Sequence, residues 1–137
     1  MNIEEQVCSK ELAMRIDKLG VPQESVWYWV SIGTLNNKHV GWRLELSHNC
    51  EEPLTAQEHY SAYTVAELGE LLPRNIKIEC GICTVKEWRI IFFEKNFDAN
   101  SKDFMMVKTI KVIGGLTEAD VRAKMLIYLI ENKLIKI

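Results

Sequence analysis

Between Ser9 and Gly20 the apolar residues Leu12, Ile16 and Leu19 recur at spacings of four and three, which places them on one face of a helix. Ser9 stands where an N-cap oxygen is needed. Gly20 suits the left-handed residue that ends a helix, and Pro22 prevents it from resuming. The pattern therefore predicts a helix over 10–19. It then changes to a period of two: Val26, Tyr28, Val30 and Ile32 share one face of a strand, and Trp27 and Trp29 the other. After a polar stretch over 33–40 containing Asn36-Asn37, alternation returns in Trp42, Leu44 and Leu46 against Arg43 and Glu45, which predicts a hairpin. Residues 48–63 carry no clear period and include Pro53, and read as a long loop.

Thr64 and Glu67 have the spacing of a capping box, with Tyr63 and Leu68 placed as its hydrophobic staple. A short helix to about Leu72 follows, with Pro73 as its stop and Gly69 inside it. Three strand patterns come next. Ile76, Ile78 and Cys80 alternate with Lys77 and Glu79. Trp88 to Phe93 is apolar on both faces, which predicts a central strand. Phe104 to Ile113 is the third, with a bend expected near Lys108 and an end at Gly114-Gly115.

Thr117 caps the last predicted helix, Glu118 to Asn132, with Leu116 and Val121 as its expected staple. Glu118–Arg122 and Asp120–Lys124 are acid-first pairs four residues apart. Ala119, Ala123, Leu126, Ile130 and Leu134 form one apolar stripe, and Val121, Met125 and Tyr128 a second. The order α-β-β-α-β-β-β-α predicts a single α+β domain over 1–137. Its expected form is one antiparallel sheet of about five strands with three helices on one face.

Composition narrows the function classes. Hydrophobic residues make up 47% and charged residues 26%, as in a globular domain, so a disordered tail is excluded. The net charge of −2 argues against direct nucleic-acid binding. No apolar run is long enough to span a membrane, and the acidic Met1–Gln6 lacks the basic start of a signal peptide. The cytoplasm is the expected location, and its four cysteines (Cys8, Cys50, Cys80, Cys83) would there be mainly reduced thiols.

Candidate chemistry is sparse. Cys80-Gly81-Ile82-Cys83 could supply two zinc ligands, with His48 and Cys50 as the others. The partner pair lacks standard finger spacing, however, and Cys80 falls in a strand pattern, so no metal and no cofactor are expected. His39, His48 and His59 lie in or beside predicted loops, with Glu58 next to His59. No metalloprotease, nucleophile-elbow or phosphate-loop motif accompanies them, and no catalytic residue is assigned. The aromatic residues offer more. Trp27 and Trp29 on one strand face, with Arg43 and Arg89 each following a tryptophan, form a candidate binding surface for a planar ligand or a protein. With one sheet face covered by helices, Trp27 and Trp29 are expected to face outward. The second stripe of the last helix, Val121, Met125 and Tyr128, is expected to join them in a dimer interface.

Three blocks carry a family resemblance. They are Cys8-Ser9-Lys10-Glu11-Leu12-Ala13 with Leu19-Gly20-Val21-Pro22-Gln23-Glu24-Ser25, then Tyr63-Thr64-Val65-Ala66-Glu67-Leu68-Gly69-Glu70-Leu71-Leu72-Pro73, and Thr117-Glu118-Ala119-Asp120 through Glu131-Asn132. They resemble a group of small uncharacterised proteins encoded by bacteriophages and prophages. The resemblance implies a phage accessory protein acting in the bacterial cytoplasm, and brings no functional residue with it. The leading expectation is a non-enzymatic protein that binds a host protein, for example a CRISPR effector, and so counters a host defence. The alternatives are a protein that sequesters a nucleotide or other small ligand at a tryptophan–arginine pocket, and a small zinc protein or metal-dependent enzyme built on the cysteines.

Overall fold

The computed structural model describes residues 2–32, 34–35, 38–39, 41–47, 58–81, 87–94 and 108–137. Among them are four helices: α1 (Ile3–Gln6), α2 (Lys10–Lys18), α3 (Val65–Leu71) and α4 (Glu118–Glu131). The strands are β1 (Trp27–Ser31), β2 (Thr34–Leu35), β3 (Lys38–His39), β4 (Trp42–Leu46), β5 (His59–Ser61), β6 (Ile76–Cys80), β7 (Trp88–Phe93) and β8 (Thr109–Gly115). The α+β class stands, but the single five-stranded sheet does not. Two antiparallel three-stranded sheets form, β4-β1-β5 and β6-β7-β8, with β2 and β3 as a small ribbon. No helix among the described residues is long and apolar enough to cross a membrane.

Departures from the expected pattern have local causes. Helix α1 is a single turn of four residues, and β5 has three, lengths at which neither a helical nor a strand period can show. Strand β5 lies in the stretch read as a loop and completes the first sheet by pairing Trp29 with Tyr60. Strand β8 continues through the glycine pair, where Gly115 lies opposite Trp88. A Cβ on Gly115 would stand 2.8 Å from Cγ1 of Val121, so glycine lets the first turn of α4 close on the strand end. The expected central strand is β7, which buries Ile90 and Phe92.

The core is double. One cluster joins α2, Val21, Tyr63, Leu68 and the α4 residues Ala123, Leu126 and Ile127, with Trp29 and Tyr60 of the first sheet packed against it. The other joins Ile90 and Phe92 of the second sheet to Val121, Met125 and Leu129 of α4. Helix α4 thus lies between two layers, and its two apolar stripes serve two intrachain cores. This corrects the expected dimer interface: Val121 and Met125 are fully buried within one chain. Tyr128 is half-buried, its ring 5.1 Å from the Lys111 ammonium.

The Asp120–Lys124 pair is replaced by longer-range contacts. The Asp120 carboxylate accepts the backbone N–H of Ser9 at 2.8 Å, and Lys124 donates to the Gly114 carbonyl at 3.4 Å. Ser9 is the N-cap of α2, yet its side chain makes no capping bond, so a carboxylate from α4 serves the start of α2. Losing it strands a partly buried N–H. Asp120→Ala is expected to lower unfolding free energy by about 1–3 kcal/mol, well above a solvent-exposed ion pair. Urea denaturation of Asp120→Ala beside Lys124→Ala checks this, and equal small losses would contradict it.

Candidate functional site

In antiparallel sheets directly opposed residues share a face. Trp29, Leu44 and Tyr60 therefore lie on one face of the first sheet, and Val30, Arg43 and His59 on the other. The first of these faces meets α2. There the Trp29 indole N–H donates to the Cys8 carbonyl at 2.9 Å, and Trp27 is half-buried on the same side. On the opposite face Tyr28 and Val30 are buried as well, with the Tyr28 hydroxyl donating to the Gln23 carbonyl at 3.0 Å. This corrects the outward-facing tryptophan pair: the face carrying Trp29, and not the face carrying Tyr28, is the one turned toward Cys8 and α2. Arg43 is exposed and paired with Glu45 at 2.6 Å. Arg89 belongs to the second sheet, 3.9 Å from Glu79. The four residues of the candidate surface are not brought together.

Among the described residues Cys8, Cys80 and His59 lie on separate elements, and no three metal-ligating side chains come together. Cys8 is buried, and burial pushes its thiol up to about 12, which leaves little nucleophilic thiolate near neutral pH. Cys80 is exposed at the end of β6, while Cys83, Cys50 and His48 lie outside the described residues. His59 packs edge-on against Tyr28 with ring centroids 5.8 Å apart. Its neighbour Glu58 accepts the Tyr60 hydroxyl at 2.9 Å, and this bond raises Tyr60 above the ordinary phenol range.

A different site emerges where three helices begin or end together. Val7, after α1, bridges Thr64, and Cys8 N–H donates to the Tyr63 carbonyl at 3.0 Å, which straps the end of α1 to the start of α3. The capping box predicted there forms, with Thr64 and Glu67 each satisfying the other's backbone N–H. Thr117 caps α4 through its hydroxyl, which accepts the Asp120 N–H at 3.1 Å. The start of α4 is drawn to α3 by Arg122, which holds Glu118 at 2.7 Å and lies 2.9 Å from where a Cβ on Gly69 would be. The glycine inside α3 is thus the seat of the guanidinium.

Between these ends run two adjoining depressions of about 320 and about 430 Å³, which share Gln6, Val65 and Glu118. Trp88 and Leu116 line the first, and Glu5 stands at its rim. Leu116 is 72% exposed, while Val121 is fully buried. The expected Leu116–Val121 staple is therefore absent, and Leu116 projects at the lip of the groove. The surface combines an apolar strip (Val65, Trp88, Leu116) with two carboxylates and an amide. Its size is that of pockets that hold a small ligand or a few side chains. None of these residues was singled out as a site from sequence, because Glu5, Val65, Trp88 and Leu116 come from four separate segments with no local signal in common.

Comparison with family models, with curated proteins and with solved structures gave no match for the chain.

Proposed function

We propose that the chain is a non-enzymatic binding protein that holds a segment of a protein partner in the groove between α1, α3 and the start of α4. The observation that carries this reading is Leu116, an apolar side chain held out to solvent at the lip of a groove floored by Val65 and Trp88. Glu5 at the same groove favours a cation, while the Glu118 carboxylate is already held by Arg122, so the segment pairs an apolar anchor with a neighbouring lysine or arginine that meets Glu5. In the phage setting that the sequence resemblance implies, the partner is a host protein, and a defence factor such as a CRISPR effector belongs to that class. Nucleotide sequestration has less support, since the tryptophans and arginines it needs are spread over two sheets.

Selection from a random peptide display library tests the reading. Wild-type protein is expected to enrich peptides that carry Leu, Ile or Phe beside Lys or Arg. Leu116→Lys, at a position where the exposed side chain contributes little to the fold, is expected to weaken the selected peptides at least tenfold, about 1.4 kcal/mol. Unchanged affinity in that variant, or enrichment of acidic peptides, would contradict it.

A further inference from the structure

Among the described residues β4, β5, β6 and β8 are the edge strands of the two three-stranded sheets, and they are not equally protected. An exposed edge is a template for another strand, and charged side chains are the usual guard. Strand β4 carries Arg43 paired with Glu45, and β6 carries Lys77 paired with Glu79 at 3.0 Å. Strand β5 has only three residues. Strand β8 has seven, is exposed from Thr109 through Val112, and contains no acidic residue. Its one charge, Lys111, is drawn to the α4 side, where the ammonium sits over the Tyr128 ring. Its outward apolar residues are Ile110, 42% exposed, and Val112, 49% exposed, and Val112 lies beside half-buried Ile91 on the face turned away from α4.

We propose that a second copy of the chain pairs with this edge. The two β8 strands run antiparallel about a two-fold axis at Val112, the middle residue, and merge the two sheets into one of six strands. In that register Val112 faces the partner's Val112, Lys111 faces the partner's Ile113, and Ile110 faces the partner's Gly114. No charge stands directly opposite a like charge, so the edge is complementary to itself. The other edge of the sheet, β6, keeps its charged guard, and assembly therefore closes at two copies instead of growing into a filament. A ladder of seven residues is about 24 Å long at about 3.4 Å per residue. A single strand-to-strand contact of that length buries less surface than a standard interface of about 1,600 Å², which sets the expectation of a weak, reversible dimer. The inference does not depend on the groove, since Val112 lies outside it and Leu116 is not needed for the ladder.

Sedimentation equilibrium from about 1 to about 500 µM tests it. The wild type is expected to pass from monomer to dimer over that range. Val112→Lys and Val112→Glu each place like charges face to face and are expected to weaken dimerisation at least tenfold, while an equimolar mixture of the two restores it. Amide exchange of the wild type gives an independent readout: protection along β8 rises with concentration. A wild type that stays monomeric throughout, species larger than dimers, or a Val112→Lys variant that dimerises like the wild type would each overturn the proposal.

Discussion

Met125→Lys is expected to abolish the folded state at 25 °C. Met125 is fully buried in the cluster formed with Ile90, Phe92, Val121 and Leu129. Removing such a side chain costs about 2–5 kcal/mol through lost burial and the cavity left behind. Placing an ammonium there adds several more, because among the described residues no carboxylate is buried and an unpaired buried charge is strongly unfavourable. A domain of this kind has about 5–15 kcal/mol in total. Far-ultraviolet circular dichroism and the dispersion of an amide NMR spectrum check this. A well-dispersed spectrum would place Met125 on the surface, as the reading of α4 from sequence had it. The same substitution at Val112 is expected to change the stability of the monomer by only about 0.5 kcal/mol, since that side chain is half exposed.

Glu67→Ala should produce the second largest loss, about 2–4 kcal/mol. One carboxylate here ties two segments together. It accepts Thr64 N–H at 2.8 Å as half of the capping box, the Ser25 hydroxyl at 2.9 Å and Val26 N–H at 3.0 Å. The first bond starts α3, and the other two hold the approach to β1 against it. Glu67→Gln keeps the shape but offers one accepting oxygen where the carboxylate has two, and should fall between wild type and alanine. Urea midpoints of the three proteins decide the matter. A loss below about 1 kcal/mol in Glu67→Ala would show that the capping box acts alone.

How far the sequence was legible follows from the range of each signal. The box at Thr64 and Glu67, the helix over Lys10–Lys18, the β1–β4 hairpin and the central position of β7 all appeared as read, since each rests on residues close in the chain or on the apolar pattern of one segment. The ion pair Glu118–Arg122 did too, one helical turn apart. Asp120 did not, because Ser9 is 111 residues away. The groove was illegible for the same reason: it is assembled from ends of elements, and an exposed Leu116 and a stapled Leu116 have the same local sequence.

The last helix shows where the division lies. The two apolar stripes of α4 follow from the identity and spacing of its side chains, which settle which of them share a face. What the stripes meet depends on how the sheets are arranged around the helix. A sheet of about five strands would have used one stripe and left the other for a second molecule. Two separate sheets, one reached through α2 and one packed directly on α4, use both within a single chain. Periodicity records that a face must be covered, and hydrophobic burial, being non-directional, leaves the choice of cover to the arrangement of the whole fold.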